Sequence, residues 1–297
     1  MLNTIIIGCG DIGTHVGQTL QQHHHTITAV VRTLESAAQL TSLGFNPIIS
    51  DLDRLAPSLP VITDDALIFY FAPPPGSGEH DPRMANFLRS LSASAAQPRR
   101  LVYISTTAVY GNSSGDWIDE QTPTHPVNSR GKRRLDAETQ LIEYQQQHPI
   151  KVTILRVPGI YSANRLPFQQ IKAGKPILKQ QIAPYSNRIH AIDLSEICIA
   201  AALSNPPPLA IYNVSDGNPG SISQYFREVA LAFGLQPPPE ISWEEAEQQI
   251  SPAMLSYLSE SKRIDNSLII EKLGISLRYP TLEAGLRQCV EALKHKE

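Results

Sequence analysis

Cysteine, long apolar runs and excess charge of either sign are all scarce in this chain of 297 residues. The three cysteines, Cys9, Cys198 and Cys289, are odd in number and far apart, which fits neither a disulfide framework nor a metal-finger spacing and favours a reducing compartment. The run His23 to His25 adds no chelating site, because adjacent helical residues point in different directions. A net charge of −3 offers no field for a phosphodiester backbone. We therefore expect no metal site and no nucleic-acid partner.

The apolar runs are also too short for a membrane helix, which needs about 20 consecutive apolar residues. The early run from Ile5 to Ile7 has no cationic stretch before it, as a targeting segment would. We therefore expect no membrane partner and a location in the cytoplasm.

Short β-branched segments alternate with amphipathic ones through the first half of the chain. The pattern predicts strands over 4–7, 26–31, 47–50, 66–71, 100–105 and 151–156, and helices over 12–23, 36–43, 83–95 and 133–147. Such alternation is typical of an α/β fold with a parallel sheet. We predict a doubly wound parallel Rossmann sheet.

The chain beyond Gly159 is less regular. A short strand over 211–214 mixes with helices predicted over 194–203, 223–233 and 282–293, and triple prolines at 73–75, 206–208 and 237–239 mark connections. The predicted domains are a Rossmann domain over residues 1–158, to which residues 189–216 return, and a small C-terminal substrate-binding cap formed by 159–188 and 217–297.

Gly8, Gly10 and Gly13 form a glycine-rich turn between the first strand and the first helix. One glycine turns the chain, one lets the backbone approach a pyrophosphate, and one packs the helix on the strand. The start of the helix, at Asp11 and Ile12, adds the positive end of its dipole. This context predicts a binding site for NAD or NADP.

Residues at the ends of the later strands are expected to complete this site. Arg32 stands where an acidic residue would hold the ribose of NAD, and a cation there suits the 2′-phosphate of NADP. We therefore predict NADP, with NAD as the alternative. Asp51 and Leu52 are expected near the adenine, although a turn-forming Asp51 explains the residue equally well. Ala72 and Val157 follow two further strands and are included in the predicted site.

Longer segments resemble the NAD-dependent epimerase/dehydratase superfamily, the extended short-chain dehydrogenase/reductase group. They are YISTTAVYG at 103–111, the acidic and proline segment at 119–126, RIHAIDL at 188–194, YNVSDG at 212–217 and the tail at 261–286. The resemblance implies a Rossmann core, a substrate cap, NAD(P) across the sheet edge and a nucleotide sugar or other small metabolite in the cleft. It also implies a catalytic set of Ser/Thr, Tyr and Lys.

Two members of that catalytic set are replaced here. Thr106 matches the hydroxyl, but counting back from Glu138 puts Arg130 in the tyrosine position and Arg134 in the lysine position. A guanidinium, with a pKa above about 12, stays protonated and cannot exchange a proton during turnover. We expect Arg130 to hold an anionic group and Arg134 the nicotinamide ribose. The alternative is that these cations are the solvated first turn of a helix.

The sequence thus predicts an NAD(P)-binding oxidoreductase or epimerase/dehydratase-like enzyme that acts on a small anionic metabolite or nucleotide-sugar-like substrate, with Thr106 orienting the substrate and Arg130 binding its charge. The alternative is a catalytically silent NAD(P) sensor or scaffold, which the loss of the tyrosine favours. His80, Tyr110 and Tyr161 are the other titratable candidates, each more simply explained as a loop or core residue. A homodimer is left open.

Overall fold

The computed structural model describes residues 2–55, 57, 59–94, 96–205 and 207–294. Strands in the described residues are numbered in chain order: β1 Asn3–Ile7, β2 Thr26–Val31, β3 Asn46–Ile49, β4 Leu67–Tyr70, β5 Arg100–Thr106, β6 Trp117–Ile118, β7 Lys151–Val157, β8 Gly159–Tyr161, β9 Ile177–Leu178, β10 Tyr185–Ser186, β11 Arg188–His190, β12 Leu209–Asn213, β13 Gly220–Ser221, β14 Glu240–Ile241 and β15 Arg263–Ile264.

The helices are α1 Asp11–Gln22, α2 Leu34–Ser42, α3 Pro82–Ala93, α4 Ser129–Gln147, α5 Phe168–Lys172, α6 Ala191–Leu203, α7 Ile222–Ala232, α8 Trp243–Gln249, α9 Pro252–Leu258, α10 Ser267–Leu273 and α11 Leu282–Lys294. A short 3₁₀ helix covers Thr107–Tyr110. Within the described ranges, no helix is long and apolar enough to cross a membrane.

Seven parallel strands form the central sheet in the order β12-β7-β5-β4-β1-β2-β3. The order reverses at β1, with β2 on one side and β4 on the other, as in a doubly wound sheet. The predicted fold class is therefore confirmed. The predicted strands lie within three residues of the observed ones at every end. Helix α4 begins four residues earlier than predicted, because the Asn128 side chain caps it by accepting from Gly131 N–H. The predicted end of α3, Ala95, lies outside the described residues.

Helices cover both faces of this sheet. On one face α1, α2 and α6 pack against side chains such as Ile6, Ala29 and Phe69. On the other face α3 and α4 pack against Ile5 and Ile68. Successive residues of one strand face opposite sides, so a sheet covered on both faces needs apolar residues on both, as at Ile5 to Ile7 of β1 and along β4.

Two later segments of the chain, β12 with α6 and then α10, pack against the central sheet or its helices. Strand β12 pairs with β7, and α6 packs on α1, so we propose that residues 189–216 belong to the Rossmann unit. Ile269 of α10 joins the same apolar cluster as α1 and α6. Helix α10 therefore packs on the Rossmann face, although the sequence division placed it in the cap. The cap itself has a separate core, to which α7 contributes Phe226 and Val229 and α11 contributes Leu286.

A buried ion pair fixes α4 to the sheet. The Glu138 carboxylate of α4 is fully buried and accepts from the Arg156 guanidinium of β7 at 2.7 Å. The Ser105 hydroxyl of β5 donates to the same carboxylate at 2.5 Å, and Arg156 also donates to the Tyr110 hydroxyl at 3.0 Å. The Tyr110 hydroxyl in turn donates to Asn213 Oδ1 of β12 at 2.7 Å, so this network sets the position of α4 along the sheet.

We expect Glu138→Gln to reduce the free energy of unfolding by about 3–5 kcal/mol, since removing one charge of a buried pair leaves the other uncompensated. Urea denaturation measures this loss. Glu143→Gln, on the exposed side of the same helix, is the matched control. An equal, small effect of both substitutions would contradict the structural role of the pair.

Candidate functional site

A cavity of about 430 Å³ lies at the carboxyl ends of β1, β2, β3 and β4. We call it the cofactor cavity. Its lining includes six of the ten residues predicted to bind the cofactor: Gly8, Gly10, Arg32, Asp51, Leu52 and Ala72. These residues are far apart in the chain and meet here because parallel strands end at one edge of the sheet.

Two of the three glycines in the loop are required by the protein itself. Gly8 has φ +81°, and a Cβ at this position would lie 2.5 Å from the Ala72 nitrogen. A Cβ on Gly13 would lie 3.0 Å from Ile6 and 3.2 Å from the Cys9 sulfur, so this glycine lets α1 pack closely on β1. Neither position by itself points to a ligand.

Gly10 differs, because a Cβ built on it meets no atom of the described part of the chain within 4 Å. The open space lies in the cofactor cavity at the start of α1, which no side chain caps. The first amides of a helix have no partner within it, so they are available to an anion such as a diphosphate. The residues present therefore fit the pyrophosphate of a dinucleotide.

The remaining predicted cofactor residues, Asp11, Ile12, Gly13 and Val157, do not line the cofactor cavity. Ile12 is buried in the core, so only its main chain can face a ligand. The Asp11 carboxylate accepts from Arg165 Nε at 2.8 Å, which ties the start of α1 to the segment after β8. Val157 is buried at the end of β7 and precedes Pro158, which lines a different pocket.

Arg32 is exposed at the mouth of the cofactor cavity, beside Ser36 in the first turn of α2. The acidic side chain nearby, Asp53, is held by Arg83 through two bonds of 2.6 and 2.8 Å. Asp51 accepts from the Asp53 amide, as a turn-forming residue does, while also lining the cavity. Arg32 is thus the cation presented to a ligand at this end of the site.

A second pocket, of about 120 Å³, lies at the carboxyl ends of β5 and β7 and brings Thr106 and Arg130 together. We call it the reaction cleft. Thr106 Oγ1 accepts from the Ala108 amide at 3.3 Å, which leaves its hydroxyl hydrogen for a ligand. Gly131 has no room for a Cβ, which would lie 2.6 Å from the Ala108 oxygen. This close approach of α4 to the 3₁₀ helix places Arg130 beside Thr106.

The other cations at the start of α4 have partners within the protein. Lys132 pairs with Glu79 at 2.6 Å, and Arg133 donates to the Gly78 oxygen at 2.6 Å, so both hold the loop that follows β4. Arg134 donates to the Ile104 oxygen at 2.8 Å and to the Tyr103 hydroxyl at 3.3 Å. These contacts lie outside the reaction cleft. Because Lys132, Arg133 and Arg134 are bonded within the protein, they are not simply the solvated first turn of a helix.

The titratable candidates from the sequence do not line the reaction cleft. His80 is exposed and pairs with Asp136 at 2.8 Å, which raises the pKa of its imidazole. Tyr110 belongs to the Glu138 network, and burial raises its pKa. Burial likewise raises the pKa of Tyr161, and it raises the pKa of the Cys9 thiol to about 12. None of these groups is positioned to exchange a proton beside Thr106.

Several residues of the reaction cleft come from the cap and were not predicted. They include Ser186, Tyr257, Glu260 and Lys262. Lys262 lies in the tail segment that resembles the superfamily, but nothing in the sequence indicated that this tail reaches Thr106. Ser186 also lines a larger cavity of about 850 Å³ between α7 and α11, the cap cavity, where Arg188 is another lining residue.

Comparisons with known proteins agree with this architecture. Residues 83–214 match the model of the NAD dependent epimerase/dehydratase family. The chain is 26% identical over 293 residues to protein YeeZ of Escherichia coli strain K12, covering 94% of this chain and 97% of YeeZ.

Solved structures give the same picture. A functionally unknown conserved protein from Silicibacter pomeroyi DSS has a TM-score of 0.85 and 29% identity, covering 98% of this chain and 99% of its own. MoeE5, in complex with UDP-glucose and NAD, has a TM-score of 0.77 and 19% identity, covering 99% of both chains, which supports the fold. The family match over residues 83–214, which is less than half of the chain, together with the glycine loop and the doubly wound sheet, shows that the chain is similar to the NAD dependent epimerase/dehydratase family.

Proposed function

We propose that this protein is an NADP-binding enzyme that transfers hydride to or from a small anionic substrate of the nucleotide-sugar type. The observation that carries the proposal is that Thr106 and Arg130 line one cleft at the sheet edge that also holds the cofactor cavity. When bound, the nicotinamide supplies or accepts the hydride. The protein contributes the position and the charge of the groups around the reacting carbon.

Arg130 supports such a reaction by electrostatics. Its guanidinium stays protonated, so it stabilises negative charge that develops on a carbonyl oxygen during hydride transfer. The Thr106 hydroxyl donates to the same oxygen and orients the substrate. Arg134, which bonds the Ile104 oxygen, supports the shape of the cleft, and we leave it out of the groups that touch substrate.

The two substrate-side pockets support a substrate with a small reacting group and a larger anionic part. Ser186 lines both the reaction cleft and the cap cavity, so the two are neighbours. The buried Arg188 lines the cap cavity, and its Nε has no hydrogen-bond partner among the described residues. A phosphate would satisfy it by a charge-assisted bond. MoeE5, which shares the fold, is in complex with UDP-glucose and NAD.

The choice of NADP rests on Arg32. A 2′-phosphate at the end of β2 would meet this guanidinium and the Ser36 side chain, both of which line the cofactor cavity. Asp53 does not neutralise Arg32 by direct pairing, because Arg83 takes both carboxylate oxygens. NAD lacks this phosphate and gains nothing from the cation.

A second candidate function is a catalytically silent NADP sensor. The specific observation in its favour is that position 130 holds an arginine, which cannot donate and recover a proton. For either function we propose a cytoplasmic location, in keeping with three buried, unpaired cysteines, and a homodimer as the assembly to test by light scattering.

The experiment that tests the enzyme proposal is turnover of a panel of UDP- and dTDP-sugars with NADP or NADPH. Reduced cofactor is followed by absorbance, and sugar products by mass spectrometry and NMR. We expect turnover of at least one sugar nucleotide. Tight NADP binding without turnover of any member would favour the sensor instead.

Arg130→Ala should lower kcat/KM by about 10²–10³-fold, as removal of one oxyanion-stabilising donor does, and leave the Kd for NADP unchanged. Lys132→Ala, two residues along the same helix but directed to Glu79, is the matched control and should retain activity. Equal loss of substrate and cofactor binding in Arg130→Ala would instead indicate misfolding or a different site.

Gly10→Ala, and more strongly Gly10→Val, should abolish NADP binding without lowering the melting temperature. The reason is that the new side chain enters the space open to the diphosphate and meets no protein atom. Isothermal calorimetry and a thermal melt check this together. Gly8→Ala is the contrasting variant and should lower stability, because its Cβ collides with Ala72. Undiminished NADP binding by Gly10→Val would refute the loop assignment.

Arg32→Ala should weaken NADP binding by about tenfold to a hundredfold, the size of a lost hydrogen bond to a charged group, with no change for NAD. Calorimetric titrations with the two dinucleotides measure this. Arg54→Ala provides an exposed neighbouring cation that does not line the cavity. Equal affinity of the unaltered protein for NAD and NADP would disprove the NADP preference.

A further inference from the structure

We propose that Tyr257, a residue of the cap, supplies and recovers the proton that position 130 cannot exchange. The inference rests on the proposed hydride-transfer function and names the group that completes it. Tyr257 lies on α9 and lines the reaction cleft together with Thr106 and Arg130. Among the described residues, Tyr185 and Tyr257 are the two tyrosines that line this cleft.

Arg130 and Tyr257 are in direct contact. The Arg130 guanidinium carbon lies 5.6 Å from the centre of the Tyr257 ring, within the range of a cation–π interaction. The arginine in the tyrosine position of the family motif therefore packs against a tyrosine from another part of the chain. This contact places a phenol in the cleft from the opposite side, the cap.

The other titratable groups of the cleft are engaged elsewhere. Lys262 Nζ is buried, donates to the Gly111 oxygen and pairs with Glu260 at 2.7 Å. Glu260 also accepts from the Asn128 side chain. Tyr257 is not part of this ion pair, so a change in its charge leaves the pair intact.

The charges that face Tyr257 favour its phenolate. Arg188 of β11 lies within hydrogen-bonding reach of the phenol, and Arg130 of α4 stacks on the ring. Tyr225 of α7 is an uncharged neighbour. Glu260 and Lys262 line the same cleft and form an ion pair with each other. Burial opposes ionisation, but Arg188, the Ser186 side chain and the charge of Arg130 outweigh it and lower the pKa of Tyr257.

The direction of the pKa shift distinguishes Tyr257 from the other buried tyrosines. The pKa of Tyr103, Tyr110, Tyr161 and Tyr225 is raised in each case, chiefly by burial. A general acid or base works best when its pKa approaches the working pH. Among these phenols only Tyr257 is moved in that direction.

With the reduced dinucleotide bound, the nicotinamide would supply hydride to the substrate carbonyl carbon, and Tyr257 would transfer its phenolic proton to the carbonyl oxygen, which gives an alcohol. The resulting phenolate would lie near Arg188 and Arg130 and would regain its proton from solvent water. In the oxidising direction the phenolate would take the hydroxyl proton while the hydride of the same carbon would pass to the oxidised nicotinamide.

The first arm of the test needs no substrate. Near-ultraviolet absorbance of the purified protein is titrated with pH to follow tyrosinate formation. We expect one tyrosine to ionise at lower pH than the others. That step should be absent in Tyr257→Phe, retained in the matched control Tyr185→Phe, and moved to higher pH in Arg130→Ala. A titration curve of Tyr257→Phe that superimposes on that of the unaltered protein would overturn the proposal.

The second arm is the pH profile of turnover with the active sugar nucleotide. Tyr257→Phe should lower kcat by about 10²–10⁴-fold, the usual contribution of a general acid, with an unchanged NADP affinity and melting temperature. The unaltered protein should lose reductive rate as the pH rises through the Tyr257 pKa, and the variant should lose this dependence.

The two hypotheses fail differently. Full kcat and an unchanged pH profile in Tyr257→Phe would contradict the proton step and leave the proposed function standing. A protein that binds NADP but turns over no sugar nucleotide would contradict the proposed function and the proton step with it.

Discussion

The parallel direction of the seven central strands is the constraint from which the site follows. Because all seven carboxyl ends meet at one edge, residues as distant in sequence as Gly8, Arg32, Ala72 and Thr106 lie along the same rim. The edge exposes backbone and strand-end side chains without breaking the apolar core. The cap then needs only to cover this rim to enclose a ligand.

The position of α4 relates the central sheet to the reaction cleft. Glu138 locks the middle of the helix to Arg156 and Ser105, and Gly131 lets its first turn approach the 3₁₀ helix. Arg130 and Thr106 line the same cleft, where Arg130 is an exposed cation that contacts the Tyr257 ring. Because a guanidinium can stabilise charge but does not exchange a proton, we propose Tyr257 of α9 as the proton carrier of the reaction.

Much of the fold could be predicted because its signals are local. The strands and helices of the Rossmann unit have clear periodicity, and the glycine loop combines a strand, a turn and a helix within 20 residues. The cap residues of the reaction cleft could not be predicted. Tyr257 lies in the short helix α9 and Lys262 just before the two-residue strand β15, where the sequence has no periodic pattern. Their place beside Thr106 depends on contacts more than 140 residues apart, such as that between Lys262 and Gly111. The partners of Lys132, Arg133 and Arg134 are likewise set by tertiary packing, which a run of basic residues in the sequence does not specify.

A crystal structure of the protein with NADP bound tests the central claim most directly. The account predicts the diphosphate on the first amides of α1 beside Gly10, the 2′-phosphate against Arg32, and the nicotinamide at the cleft formed by Thr106, Arg130 and Tyr257. A dinucleotide bound away from the glycine loop, or a nicotinamide ring directed away from that cleft, would contradict it.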